Sequence, residues 1–308
     1  MRIVSLLPST TEIVHALGLG EYLVGRSHEC DYPNGVTQLP SCTKPKTDLG
    51  DSSREIDHQI ETLLQDGLSV YRVDAEKLAE LDPDLIITQD HCEACAASLP
   101  EVQQAVAEYL DQKVKILSVS PGNLEEVYNS ILEIARVLEV TEKGDALVRN
   151  MKRQFSRISD MAEDLPTPEL LCIEWLDPLM SAGNWVPELV QIAGGHALLS
   201  TPGEHSPVIG WEPVQQAAPD VILIMPCGYS IEQTLGEVQA LNSRPEWRAL
   251  NAVQHNRVYI ADGHHYFNRP GPRLTDSARI LAETIHPDQF EPQYQGRGWI
   301  RLTAEITK

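Results

Sequence analysis

Long apolar runs are missing from this chain: no stretch approaches the roughly 18 consecutive apolar residues that a membrane span requires. Positive charge is scarce as well. Lys and Arg number 24 against 45 Asp and Glu in 308 residues, a formal charge of −21. So acidic a surface is poorly matched to a nucleic-acid backbone or an anionic bilayer, which excludes nucleic acid as primary partner. Residues 1–8 carry one positive charge and an apolar run shorter than the ~7–15 residues of a secretion signal's core. The expectation is a cytoplasmic chain, with the periplasm or cell surface as the alternative if an export signal has been removed. No Gly-rich phosphate loop, nucleophile elbow or assignable Ser/His/Asp triad is present. Gly18-Leu19-Gly20 closes a helix instead of opening one, so the dinucleotide fingerprint fails its context. An enzyme is therefore not the first expectation.

What is present is material for large cores, with 42% apolar and 22% charged residues. Residues 3–8 read as a strand, and Ser9-Thr10-Thr11-Glu12 fits a capping box ahead of apolar Ile13, Val14, Ala16 and Leu17, with Gly18 as terminator. Short β-rich runs at 23–25, 69–73, 85–88 and 114–119 alternate with helical patterns at 55–65, 75–81 and 99–110. Apolar spacing from 123 to about 164 is helical throughout. Alternation then resumes, with strands predicted at 170–174, 221–225 and 258–261 and helices at 185–193, 212–217 and 273–285. Such alternation specifies parallel sheets covered by helices. We read two α/β lobes, 1–121 and 166–308, joined by a helical spine over 122–165. A short echo links them: residues 76–87 and 212–223 share a helix, a Pro-Asp turn and a buried strand, with Glu76 and Glu212 at matched positions.

Ligands of parallel α/β sheets sit beyond the carboxyl ends of the strands. Those ends carry Pro8-Ser9-Thr10, then Ser27-His28-Glu29-Cys30-Asp31-Tyr32, then Gln89-Asp90-His91-Cys92-Glu93-Ala94-Cys95 in the first lobe. In the second they carry Glu174-Trp175, Pro226-Cys227-Gly228-Tyr229 and Asp262-Gly263-His264-His265-Tyr266. Ser9 reads either as a cap or as a ligand group beside exposed amides. Cys92-x-x-Cys95 reads as a soft-metal clip, a redox pair or plain thiols, with Cys30, His28, His91 or Cys227 as further ligands. The six cysteines would allow three disulfides in an exported protein and thiols in a reducing compartment, thiols being the default. Cys42 and Cys172 read as structural. Adjacent strand residues face opposite ways, so only one of His264 and His265 is expected toward a ligand. Pro272 suits the first turn of the last long helix, and the arginines around it read either as functional or as surface charges.

Residues 5–12, Asp31-Tyr32-Pro33, the two Glu-to-Pro-Asp segments, Ala193-Gly194-Gly195 and residues 269–273 occur in an order that resembles the substrate-binding proteins of cobalamin and iron-siderophore ABC transporters. The resemblance runs from Met1 to about His286. It implies two Rossmann-like lobes on one long interdomain helix, the class III binding-protein fold, and non-catalytic capture of a metal chelate, first of all a corrinoid such as cobalamin, in the cleft between lobes. It puts Tyr32, His265 and Arg269 against the ligand and pairs Glu76 and Glu212 with arginines of an ABC permease. Tyr71, Gln89 and His205-Ser206 stand where B12-binding relatives carry tryptophans. The candidate ligand-binding set is Ser9, Thr10, His28, Glu29, Tyr32, Tyr71, Gln89, Trp175, Trp185, Tyr229, His265 and Arg269. Two alternatives remain open: a thiophilic transition metal or iron–sulfur cluster on Cys30, Cys92, Cys95 and Cys227, and a tetrapyrrole or thiol-redox enzyme. The strand-end cysteines resemble a cobalamin-binding subgroup without an export signal.

Overall fold

The computed structural model describes residues 1–46, 50, 52–65, 70–89, 99–109 and 114–303. The chain divides into two compact units. One comprises Met1–Asp51, Glu55–Pro121 and Glu125–Arg149, the other Ser52–Arg54, Gly122–Leu124 and Asn150–Lys308.

In chain order the first half forms β1 (Ile3–Ser5), α1 (Pro8–Ala16), β2 (Leu23–Arg26), β3 (Thr43–Pro45), α2 (Ser53–Gln65), β4 (Tyr71–Val73), α3 (Ala75–Leu81), β5 (Leu85–Thr88), α4 (Leu99–Tyr109) and β6 (Lys115–Ser118). Two helices follow without an intervening strand, α5 (Leu124–Val137) and α6 (Thr141–Ala162), where the apolar spacing is helical. The second half forms β7 (Glu169–Leu176), β8 (Leu179–Ser181), α7 (Val186–Ile192), β9 (His196–Ala197), α8 (Trp211–Ala217), β10 (Val221–Ile224), α9 (Ile231–Leu241), α10 (Pro245–Arg248), α11 (Asn251–Gln254), β11 (Val258–Ala261), α12 (Leu274–Ile285) and β12 (Trp299–Arg301).

The first unit is built on a parallel sheet of order β2-β1-β5-β6, with β3 and β4 paired separately and antiparallel. Its strands are short and apolar on both faces, as burial under helices demands. Val4, Leu6, Cys42, Leu78, Ile86, Val102 and Ala105 make its core. The second unit carries the order β12-β11-β10-β7-β8, with β9 also on β7. Pairs β7·β10 and β10·β11 are parallel, while β8 and β12 are antiparallel additions at the edges. Leu171, Ile173, Val214, Ile222, Ile224, Trp247 and Ile260 are part of its core.

The internal echo has a structural cause. Both α3 and α8 end on a residue in the left-handed region, Asp82 at φ 42° and Ala218 at φ 47°. A proline follows in each case, which cannot continue a helix. The next aspartate then pins the start of the neighbouring strand: Asp84 Oδ2 accepts the Arg2 amide at 2.7 Å, and Asp220 Oδ2 accepts the Glu169 amide at 3.0 Å. One helix-to-strand device is thus used once per unit.

Three local expectations are corrected. Ser9 is no cap, because Pro8 occupies the first helical position and moves the cap to Leu7, whose side chain makes no capping bond. A proline has no N–H to satisfy and its φ is already helical, so the helix starts one residue early. Gly18 does close the helix, at φ 72°. The last long helix begins at Leu274 with Arg273 as its cap, leaving Pro272 outside it. His264 and His265 follow the end of β11 in a turn, so strand alternation does not separate them; their rings meet edge to face at 4.8 Å.

Residues 27–40, a loop without regular strand, are held by one side chain. The Arg26 guanidinium donates to the carbonyls of Ser27 (2.8 Å), His28, Leu39 and Thr37 (3.2 Å each). A planar fork reaches several acceptors at once, which a lysine cannot do. Replacing Arg26 by Ala or Lys is expected to lower stability by about 2–3 kcal/mol and to open residues 27–40 to protease in limited proteolysis. Unchanged melting and cleavage would contradict that role.

Candidate functional site

Parallel pairing brings the carboxyl ends of the strands to one edge of each sheet, and the two units are described in turn. In the first, Ser5 at the end of β1 starts a buried chain of small polar groups. Its Oγ lies 2.7 Å from Thr10 Oγ1 and accepts the Thr11 hydroxyl at 2.8 Å, and Thr11 Oγ1 lies 3.1 Å from Cys30 Sγ. Thr10 and Cys30 have no exposed surface and Ser9 is 6% exposed. The Thr10 hydroxyl and the Cys30 thiol thus take part in this interior polar chain, and Ser9 lies almost fully buried at the start of α1.

Outside this layer lies a wetter one. The Thr43 hydroxyl donates to Ser27 Oγ at 3.0 Å, accepts the His28 amide at 3.1 Å and lies 2.8 Å from His28 Nδ1. The His28 ring packs on Tyr71 with centroids 5.0 Å apart, and its Nε2 is 3.1 Å from Glu29. His28, Glu29, Tyr71 and Gln89 are half-buried, and Tyr32, joined to Pro33 by a cis peptide, is exposed. Cys42 is buried, and burial pushes its thiol up to about 12, which makes it inert. Cys92, Cys95 and His91 lie outside the described residues.

In the second unit three strand ends are tied together by main-chain bonds. The Cys227 amide donates to Glu174 O at 3.1 Å and the His264 amide to Tyr229 O at 3.0 Å. Gly263 sits where a Cβ would lie 2.1 Å from Pro226 O and 2.7 Å from Met225 O. Only glycine lets the β11 loop approach the end of β10 so closely. On this platform the Trp175 and Tyr229 rings meet edge to face at 5.5 Å. The Tyr229 hydroxyl reaches Glu237 at 3.2 Å, while Trp175 Nε1 is buried with no hydrogen-bond partner.

The loop after β11 is organised by Asp262. Its carboxylate accepts the His265 amide at 2.8 Å and lies 2.8 Å from His265 Nδ1. Burial alone would raise the Asp262 carboxyl, but these two bonds hold it below its ordinary value. Arg269, which is 6% exposed and so not a surface charge, places Nη2 3.1 Å from His264 Nε2. Trp185 is 7% exposed and its indole donates to Phe267 O at 2.6 Å. That bond holds Phe267 at φ 58°, a conformation few bulky residues adopt. Cys227 is exposed, and Cys172 is buried with its thiol raised by that burial. Glu76 and Glu212 are both exposed in the first turns of α3 and α8.

One group escaped the candidate set. Glu174, at the end of β7, accepts the Ser206 hydroxyl at 2.9 Å, and Ser206 Oγ in turn accepts the Gly183 amide at 3.0 Å. Burial pushes its carboxyl up to about 7, against the pull of the Ser206 bond. Its sequence signal was a carboxylate directly after an apolar strand.

Residues 3–264 match the family described as periplasmic binding protein. Similar curated proteins include an uncharacterized ABC transporter substrate-binding lipoprotein of Bacillus subtilis, 29% identical over 298 residues, covering 94% of this chain and 81% of its own length. The vitamin B12-binding protein of Vibrio cholerae is 24% identical over 282 residues, 90% of this chain and 86% of the relative. Among solved structures, a periplasmic heme binding protein from Pseudomonas aeruginosa superposes with a TM-score of 0.69 at 21% identity, over 94% of this chain and 93% of that one. The periplasmic vitamin B12 binding protein of Vibrio cholerae gives 0.65 at 21%, over 94% and 97%. These structures share the fold. The relatives whose descriptions give a location are a lipoprotein and periplasmic proteins, which lends no support to the expectation of a cytoplasmic chain. Among the described residues no helix is long and apolar enough to cross a membrane.

The titrating groups make stability depend on pH in two directions. The unfolded Glu174 carboxyl ionises near 4.5 while the folded one keeps its proton to about 7. The unfolded state therefore loses protons first, and stability falls as pH rises from 4.5 to 7. Burial holds the imidazoles of His15 and His286 below the ordinary 6.5, so their contribution is complete above 6.5 and lost as pH falls below it. Glu174→Gln is expected to raise unfolding free energy at pH 8 by about 1–3 kcal/mol and to change nothing at pH 4. Equal gains at both pH values in denaturant titrations would contradict the assignment.

Proposed function

This chain belongs to the periplasmic binding protein family, and from that premise we propose that it is the non-catalytic binding component of an ABC-type uptake system whose cargo is a metal chelate, a corrinoid such as cobalamin first among them. The observation that carries this reading is the match over residues 3–264, together with vitamin B12-binding relatives aligned along nine-tenths of the chain. The strand ends support it chemically. In the first unit the ring of Tyr32 is exposed and those of His28 and Tyr71 half-buried, with Glu29 at His28 Nε2 and Gln89 half-buried after β5 as polar groups. In the second, Trp175 stands half-buried against Tyr229 with an unpartnered indole N–H, and the loop after β11 carries His265 and Arg269. Flat aromatic faces with a few fixed polar groups are what a large planar macrocycle requires.

Glu76 and Glu212 are the groups we assign to permease docking. Each is exposed and at the same position of a repeated helix-to-strand device, so a permease carrying paired basic groups would meet the same geometry on each unit. The thiolate reading, a bare metal ion or iron–sulfur cluster on Cys30, Cys92, Cys95 and Cys227, is less favoured because Cys30 is buried.

Titration of the purified chain with aquocobalamin, followed by visible absorbance and gel filtration, is expected to give one-to-one retention. Tyr32→Ala or Trp175→Ala is expected to weaken it by about 3–10-fold, the worth of one aromatic contact. Retention of haemin alone would move the cargo from a corrinoid to a porphyrin. Failure to retain either would overturn the chelate reading.

A further inference from the structure

We propose that the C-terminal segment at residues 293–301 is a positioning element for the His265 imidazole, acting through Tyr294 and Gly298. Only its effect on affinity rests on the reading of His265 as a cargo contact. The segment lies beyond the residues that match the family, 3–264, and none of its side chains was a candidate in the sequence.

The anchor is Glu283, a carboxylate on α12 with no exposed surface. It accepts four donors: Arg279 Nε at 3.0 Å, the Gln293 and Tyr294 amides at 3.0 Å each, and Trp299 Nε1 at 2.7 Å. Three of the four come from the segment, and a buried carboxylate stripped of them would be left without compensation. Holding the segment in place is thus the condition for burying Glu283.

Two contacts carry the constraint onward to the loop after β11. The Asp262 amide donates to Gly298 O at 2.9 Å, next to the antiparallel pairing of Ala261 with Trp299. The Tyr294 ring meets Tyr266 edge to face at 5.8 Å, while its hydroxyl donates to Asp276 Oδ1 at 2.7 Å. Asp262 and Tyr266 bracket His265 within five residues. With Asp262 fixed from behind, its carboxylate takes the His265 amide and the Nδ1 proton, which sets the ring's orientation and, in the neutral imidazole, leaves the Nε2 lone pair as the acceptor.

The test compares wild type, Tyr294→Phe and Tyr294→Ala without any cargo, by amide hydrogen exchange and by nitrogen-15 spectra of the His265 ring. Phe keeps the ring against Tyr266 and removes only the bond to Asp276. The Ala variant is expected to speed exchange at Asp262, His265 and Tyr266 by about tenfold relative to Ile222 and to turn a single Nδ1-protonated ring signature into a mixture, with Phe restoring most of both. A folded Ala variant with unchanged exchange and ring signature would overturn the proposal. If the Ala variant does not fold, Tyr294→Leu, which removes the ring contact with Tyr266 but keeps an apolar side chain, decides: faster exchange at the same three amides supports positioning and unchanged exchange overturns it. With aquocobalamin as probe, the Ala variant is expected to bind about tenfold more weakly. A wild type that binds neither aquocobalamin nor haemin would sink the cargo reading alone, because the cargo-free readouts still decide the positioning.

Discussion

Parallel strand pairing is the constraint from which the rest of this molecule follows. Strands that run the same way must be joined by crossovers over the sheet, so both faces are covered by helices and both must be apolar. Polar side chains that can meet a ligand are thereby favoured near the strand ends. In the first unit that concentrates His28, Glu29, Tyr32, Tyr71 and Gln89 around the ends of β1, β2 and β5, and in the second it concentrates Glu174, Trp175, Tyr229, His264, His265 and Arg269 around β7, β10 and β11.

Such loops must be rigid to be selective, and the structure achieves this with buried polar groups. Arg26 gathers four carbonyls of the loop that contains Tyr32, Asp262 holds His265 by two bonds, and Glu283 collects four donors to seat the C-terminal segment. Each is a charged group held by several hydrogen bonds, and in the fully buried Glu283 all four acceptor sites are used, the condition under which a buried charge specifies structure instead of disrupting it. Glu174 is the exception. It has one hydroxyl donor, and burial raises its proton affinity.

Much of the fold was legible because periodicity and turn chemistry agree. The strands at 85–88 and 258–261 and the helix at 75–81 fall where their patterns place them, and the Pro-Asp echo proved to be a repeated pinning of one strand by its neighbour's aspartate. The misses have physical reasons. Pro8 outranked Ser9 at the start of α1, and the strand ended before the histidine pair, so a rule about alternating faces did not apply. β12 escaped because the residues that fix it, Glu283 and Trp299, are separated by a loop without apolar rhythm. A carboxylate in the apolar face of α12, between Ala282 and Thr284, was the signal that something polar had to cover it. Burial differs among the candidates: Thr10, Cys30 and Trp185 are buried, whereas His28, Tyr32 and His265 are open to solvent in part.

The central claim is that these strand ends recognise an intact chelate and not a bare ion. Native mass spectrometry of the chain mixed with equimolar aquocobalamin, haemin and a ferric siderophore, with zinc and copper ions present, tests it most directly. The account predicts a single adduct of corrinoid mass at one per chain. A spectrum showing only the unliganded chain, or metal ions without a chelate, would contradict it.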